Sequence, residues 1–199
     1  MKIGILGGSF DPPHLGHLLI SSQVKNILRL DEIWLMPCNQ HPFHKTLASV
    51  EHRLAMTKFL ANDSIKVSEY EITQNKQSFT VDTLAGLTNK FPEHIFYWII
   101  GSDQVESFRK YKGWQEIIRK YNLVIFPREP VSPKIEEEVK QDFNLQSIPK
   151  SIIVLKSDGL ILTNISSTNI RQRVKNNESI ANMVPKKVEE YIKKNRLYK

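Results

Sequence analysis

Gly7-Gly8-Ser9-Phe10-Asp11-Pro12-Pro13-His14-Leu15-Gly16-His17 follows the apolar run Lys2-Ile3-Gly4-Ile5-Leu6 and precedes an amphipathic one, so it stands where a strand hands over to a helix. The first turn of a helix leaves backbone N–H groups without partners, and the aligned peptide dipoles add about half a positive charge there. Such a junction is a natural phosphate site. Gly7 and Gly8 let the backbone pass close to a ligand, Pro12 and Pro13 stiffen the turn, and His14 and His17 bring ring nitrogens to the mouth of the helix.

Working outward, β-rich runs alternate with helical patterns. Ile3 to Leu6, Glu32 to Met36, Ile65 to Tyr70, Ile95 to Ile100, Leu123 to Phe126 and Ile152 to Leu155 predict strands. Between them Ile20, Val24, Ile27 and Leu28 mark one apolar stripe, Val50, Leu54, Thr57 and Ala61 a second, and Val81, Leu84, Ala85 and Thr88 a weaker third. Tyr97-Trp98-Ile99-Ile100 is almost unbroken in its apolarity, as expected of a parallel strand buried on both faces. The alternation predicts an α/β fold with a doubly wound, mainly parallel sheet and a helical C-terminus. Ligands of such sheets bind beyond the carboxyl ends of the strands, where strand order reverses. The Gly7-Gly8 turn and Gly101-Ser102-Asp103 should then open on one cleft. There Gly101 admits a ring or sugar, and Asp103 accepts hydrogen bonds from ribose hydroxyls or an exocyclic amine; an ordinary turn would use the same residues.

Composition sets the outer bounds. The 199 residues are 40% hydrophobic and 25% charged, ordinary for a globular protein and enough for one domain over 1–199 with a substantial core. Residues 127–150 carry Pro127, Pro130, Pro133 and Pro149 around the acidic cluster Glu136 to Glu138, which predicts a surface excursion with a short helix; residues 166–199 form the helical C-terminal part. No apolar stretch approaches the ~20 residues of a membrane span, and no signal-peptide pattern opens the chain, so a cytoplasmic location is expected. The single cysteine, Cys38, fits a reducing compartment. The formal charge of +7 invites a nucleic-acid partner, but the last fifteen residues, with six basic and two acidic side chains, hold +4 of it. That run reads as the solvated face of a terminal helix, and the remaining excess suits a small polyanionic substrate.

Asn164-Ile165-Ser166-Ser167-Thr168-Asn169-Ile170-Arg171 looks like a helix start, since hydroxyls cap unsatisfied N–H groups. A cap alone leaves Arg171 unexplained, because a cation one turn into a helix opposes the dipole unless an anion lies there. Either a plain cap or a second phosphate site accounts for the segment.

The first stretch matches the HxGH signature of the nucleotidyltransferase superfamily, and Ile165 to Arg171 matches its second motif, ISSTxxR. Within that superfamily the chain resembles the bacterial nicotinate mononucleotide adenylyltransferases, through His14, Pro42-Phe43-His44-Lys45, Ser78-Phe79-Thr80-Val81-Asp82-Thr83, Gly101-Ser102-Asp103 and Trp114. It departs from them where Phe43 interrupts the usual Pro-Pro-His-Lys and Gly113 precedes the tryptophan in place of a lysine.

The resemblance implies a Rossmann-like fold and transfer of AMP from ATP to nicotinate mononucleotide, giving nicotinate adenine dinucleotide and pyrophosphate. It implies an ATP site of Gly7, Gly8, Ser9, Phe10, His14, Gly16, His17, Gly101, Asp103, Ile165, Ser166, Ser167 and Arg171. The mononucleotide side would comprise Lys45, Thr80, Asp82, Thr83 and Trp114. The nucleophile is already an anionic phosphate, so no general base is needed, and catalysis reduces to positioning and charge stabilisation. His17 is assigned to the α-phosphate, His14 to adjoining oxygens, Arg171 and the Ser166-Ser167 terminus to the departing pyrophosphate, and Lys45 to the incoming phosphate. Mg²⁺ would be held mainly by ATP phosphates and water, with no protein metal site; neither nucleic acid nor a membrane is an expected partner, and a homo-oligomer stays open.

Other readings compete. Trp114 offers a face for the pyridine ring or is a partly buried core residue, and Thr80 and Asp82 could simply decorate a helix start. His41 and His44 repeat the spacing of His14 and His17, so a transition-metal site is a minor alternative. Phosphopantetheine adenylyltransferase shares both motifs but usually has threonine in the place of His14. A nicotinamide mononucleotide-preferring enzyme and a non-catalytic nucleotide-binding module are the other rivals.

Overall fold

A computed structural model describes residues 1–40 and 46–199 of the chain. Strands β1 (Lys2–Gly8), β2 (Glu32–Pro37), β3 (Ile65–Val67), β4 (Ile95–Gly101), β5 (Asn122–Phe126) and β6 (Ile152–Val154) form a parallel sheet in the order β3-β2-β1-β4-β5-β6. From β1 the chain steps outward through α1 (Leu15–Leu28) to β2 and through α2 (Val50–Lys58) to β3. It returns through α3 (Tyr70–Thr73) and α4 (Thr80–Lys90) to the other side of β1. From β4 it continues outward past α5 (Trp114–Lys120) and α6 (Ile135–Phe143). Crossovers between parallel strands are right-handed, so opposite directions of travel put their helices on opposite faces of the sheet. The reversal between β1 and β4 is the doubly wound arrangement that the strand-helix alternation predicts.

Strand side chains alternate between two buried clusters. Ile3 and Ile5 of β1, Phe96, Trp98 and Ile100 of β4, and Leu123 and Ile125 of β5 meet Val81, Leu84 and Leu87 of α4, Ile117 of α5 and Phe143 of α6. Leu6, Ile99, Val124 and Phe126 point the other way, toward Ile20 and Val24 of α1 and Met56 of α2. Two further helices, α7 (Ser167–Lys175) and α8 (Lys186–Lys194), come back to that second face and bury Ile170, Val188 and Ile192 in it. No helix among the described residues is long and apolar enough to cross a membrane.

The elements depart from the periodicity in instructive ways. The run expected to be extended from Ile65 to Tyr70 leaves the sheet after Val67, and Tyr70 opens α3 instead. The buried face of α2 is Arg53, Met56 and Thr57, rotated from the expected Val50, Leu54, Thr57 and Ala61 stripe, because Arg53 turns inward to meet carbonyl groups. Ile27, expected on the buried stripe of α1, is 48% exposed, while Ile20 and Val24 are buried as expected. In α4 Thr88 faces solvent, and Leu87 takes its place in the core.

Gly7 and Gly8 end β1 for different steric reasons. A Cβ on Gly7 would lie 2.5 Å from Cζ2 of the Trp98 indole, a rigid ring buried among its neighbours. One on Gly8 would meet only the Phe10 ring, at 3.5 Å. Gly7 is thus demanded by the core, while the open side of Gly8 faces the cleft described below. Gly7→Ala should therefore destabilise the protein by about 1–3 kcal/mol in urea unfolding, while Gly8→Ala stays within about 0.5 kcal/mol of the parent; equal midpoints for the two variants would refute the distinction.

Candidate functional site

The carboxyl ends of β1 and β4 open together on a cleft of about 830 Å³ lined by Gly7, Gly8, Ser9, His14, His17, Trp98, Gly101, Asp103, Ser166 and Ser167, among others. This volume lies within the range of small-molecule sites. A Cβ on Gly101 would meet the Asp103 carboxylate and lie 2.9 Å from Arg128 Cγ, so a side chain there would make those two side chains shift.

The turn between β1 and α1 is gripped from several directions. Gly8 O accepts from Cys38 N at 3.0 Å, Ser9 O from Arg53 Nη1 at 2.9 Å, Asp11 O from Arg171 Nη1 at 2.6 Å and Pro12 O from Ser167 Oγ at 2.8 Å. Phe10 has φ 50°, the left-handed region that non-glycine residues seldom occupy, and its side chain is buried. Its ring centroid lies 4.7 Å from that of His17. Arg53, 1% exposed, also donates to Cys38 O at 2.8 Å, Asn39 O at 2.9 Å and Ala48 O at 3.1 Å. One guanidinium therefore ties the β1–α1 turn to both the exit of β2 and the entry to α2.

The His14 and His17 rings lie close and tilted, with centroids 3.7 Å apart and planes at 35°. His14 N donates to His17 Nδ1 at 3.1 Å, which leaves the proton of a neutral His17 on Nε2. Gly16 is required between them, because a Cβ there would lie 2.9 Å from His14 Nδ1. Burial, aided by the neighbouring His17 and then by Arg128, lowers His14 from 6.5 to about 2. Burial and then Arg128 lower His17 to about 3. Both rings are neutral hydrogen-bonding groups at physiological pH.

Across the cleft, Ser166 caps α7 by accepting from Asn169 N at 3.2 Å, and Ser167 reaches the Pro12 carbonyl. The cap and the meeting with the first motif are thus both present. Arg171 does not line the cleft; besides its bond to Asp11 it approaches Thr168 Oγ1 at 3.3 Å. Phe10, Gly16 and Ile165 are not among the residues that line the cleft. Arg128 does line the cleft, with its backbone N–H on Ser102 Oγ at 2.8 Å and no ion pair among the described residues.

The residues expected on the mononucleotide side are less gathered. Thr80 lines the cleft. Asp82 pairs with Lys112 Nζ at 2.8 Å, and that ammonium also sits 4.8 Å from the Phe79 ring centroid. Thr83 is buried and donates to Glu71 Oε1 at 2.7 Å; burial pushes the Glu71 carboxyl up, against the pull of the Thr83 and Ser78 hydroxyls. Trp114 opens α5 and packs 6.3 Å from Phe143 against the core beneath α4 to α6, outside the cleft lining. Lys45, with His41 and His44, lies outside the described residues. Among the described residues no three His, Cys, Asp or Glu side chains gather as a metal cage.

Sequence reasoning missed Arg53, Asp11, Glu71 and Arg128. Arg128 had a signal, since it lies two residues past the apolar run of β5 and so at the carboxyl edge of the sheet. Arg53 had none, because an arginine in a polar helical pattern reads as exposed.

A family model described as cytidylyltransferase-like matches residues 5–173. A protein of Dehalococcoides mccartyi named "probable nicotinate-nucleotide adenylyltransferase" is 38% identical over 100% of this chain and 97% of its own length. One of Oceanobacillus iheyensis with the same name is 35% identical over 99% and 96%. In fold, the chain is similar to the Plasmodium falciparum nicotinic acid mononucleotide adenylyltransferase complexed with NaAD, with a TM-score of 0.80, 21% identity and coverage of 99% of this chain and 97% of that one. The chain belongs to the cytidylyltransferase-like family and, within it, to the nicotinate-nucleotide adenylyltransferases.

Proposed function

We propose that the protein transfers the adenylyl group of ATP to nicotinate mononucleotide, forming nicotinate adenine dinucleotide and pyrophosphate in NAD biosynthesis. The observation that carries the reading is the meeting of His14 and His17 with Ser166 and Ser167 on one cleft at the reversal point of the sheet. An oxygen of the mononucleotide phosphate attacks the α-phosphorus of ATP in line, the new P–O bond forms, and the bond to the β-phosphate oxygen breaks as pyrophosphate departs. No proton need be removed from the nucleophile.

The difficulty is like charge, and the residues meet it with oriented donors. The Nε2–H of neutral His17 donates to an α-phosphate oxygen, and His14 donates to an adjoining one. The N-terminus of α7, with Ser166 and Ser167, receives the departing pyrophosphate. Arg171 supports that terminus from its bond to Asp11 and adds positive charge. Gly7, Gly8, Ser9, Gly101 and Asp103 hold the nucleoside, and Phe10, Gly16 and Ile165 are assigned to the same side. Thr80, Asp82, Thr83, Trp114 and Lys45 are assigned to the acceptor side, Lys45 to its phosphate. A divalent ion, Mg²⁺ in our reading, would be carried by the ATP phosphates and water and would neutralise part of their charge.

Pyrophosphate release measured with ATP and magnesium should be faster with nicotinate mononucleotide than with nicotinamide mononucleotide or phosphopantetheine. Silence with all three would sink the adenylyl-transfer reading, and a preference for either of the others would replace the acceptor. His17→Ala should lower kcat about 10²–10³-fold with ATP affinity little changed; near-normal turnover would remove its assigned role.

Acid should also weaken the fold. Both folded-state values lie well below 6.5, so under pH 6.5 the unfolded chain binds protons that the folded chain refuses. The stabilisation is complete above pH 6.5 and is lost toward the folded values. At pH 5.5 the cost is about 1.4 kcal/mol per histidine, and urea unfolding of His17→Asn should show a shallower loss from pH 7.5 to 5.5 than the parent; identical losses would refute this.

A further inference from the structure

The hydroxyl of Tyr198 donates to Asp11 Oδ1 at 2.7 Å, across 187 residues of sequence. Asp11 is 1% exposed and belongs to the phosphate turn, three residues before His14. Among the described residues its carboxylate is also reached by Ala48 N, at the longer distances of 3.3 and 3.4 Å to its two oxygens. A buried carboxylate depends on its donors, and Tyr198 supplies the shortest bond to it among the described residues.

The tyrosine is itself held in place. Its ring packs against the cluster that buries Val188 and Ile192 of α8, so the position of the hydroxyl follows from the packing of that helix. On the other side Ala48 hands its carbonyl to Arg53 Nε at 3.1 Å, and Arg53 also grips Ser9. The chain of contacts runs from Tyr198 through Asp11 to Ala48 and back through Arg53 to the phosphate turn. None of these groups needs to touch a substrate. Their geometry sets the turn that carries the histidines relative to the segment that enters α2.

We propose that Tyr198 is a positioning residue for the proposed adenylyl transfer, acting through Asp11 to fix the phosphate turn against the entry of α2. The inference rests on the functional reading above. In-line phosphoryl chemistry is sensitive to placement, and an error of about 1 Å can cost about 10²-fold in rate. Loss of one tether that leaves the others in place should show in kcat more than in ATP binding.

Tyr198→Phe removes one oxygen and keeps the ring in its cluster. The matched control is Tyr191→Phe, whose hydroxyl pairs with His52 Nδ1 at 3.0 Å and touches no part of the turn. Steady-state kinetics should give Tyr198→Phe a kcat lowered about tenfold with KM for ATP within about twofold of the parent, and Tyr191→Phe a kcat within about twofold of the parent. Hydrogen exchange of the Ala48 amide should be faster in Tyr198→Phe alone, and adding Tyr198→Phe to Asp11→Asn should lower kcat no further. A kcat unchanged by Tyr198→Phe, full additivity with Asp11→Asn, or a rise in KM alone would overturn the proposal. A parent chain inactive with every acceptor overturns the adenylyl-transfer reading instead; Ala48 exchange still judges the tether, and unchanged exchange in Tyr198→Phe overturns it.

Discussion

Between β1 and α1 the chain makes a turn whose carbonyls belong to neither strand nor helix, and the site depends on how they are taken up. Buried carbonyls left unpaired are costly, so each needs a donor from elsewhere. Arg53 comes from α2 and Arg171 and Ser167 from α7, while the Cys38 amide extends the β1–β2 ladder on Gly8, where the turn begins. Every donor that satisfies the turn thereby fixes its own element against it. The left-handed backbone at Phe10 is tolerable only inside such a clamp, with the phenyl ring buried beside His17.

The same burial that secures the turn decides the chemistry of its histidines. Close together, largely shielded from water and near Arg128, neither ring gains by protonation, and both pKa values fall far below neutrality. A neutral imidazole whose tautomer is fixed, as that of His17 is by the His14 amide, donates along a set direction without presenting a full positive charge that must be desolvated. Net positive charge in the cleft comes instead from arginine and lysine side chains at its rim, Arg128 and Lys110 among them, and from the first turn of α7. A polyanion thus meets long-range attraction at the edge and oriented hydrogen bonds at the reacting centre.

The sheet was legible because its strands are buried on both faces and read as apolar runs, and because strand-helix alternation leaves few topologies open. The turn after β1 was legible as a strand-helix junction for a similar reason: glycines and prolines there punctuate the chain between an apolar run and an amphipathic one. What the sequence hid were residues whose role depends on three-dimensional neighbours. Arg53 sits in a helix where charge reads as solvent-facing, and its inward turn rotated the buried stripe of α2 away from Leu54. Asp82 and Thr83 matched a motif, yet one pairs with Lys112 and the other serves a buried carboxyl. A motif names residue types, while their partners come from packing across elements that periodicity does not connect. Trp114 shows the same limit, because an aromatic ring at a helix start reads equally well as a stacking platform or as core.

The contacts that complete the site are also among the most distant in sequence. Ser167 meets Pro12 across 155 residues, Arg171 meets Asp11 across 160 and Tyr198 meets Asp11 across 187. Closing such separations costs loop entropy that a single hydrogen bond does not return, so these bonds form only once the sheet and the burial of Ile170, Val188 and Ile192 have brought their elements together. The apolar face of α7 and α8 therefore supplies the free energy, and the polar contacts supply the placement. That division explains how a phosphate turn near the start of the chain can rely on donors near its end. The donors arrive on helices already held by their own hydrophobic packing, and the turn needs from them only direction.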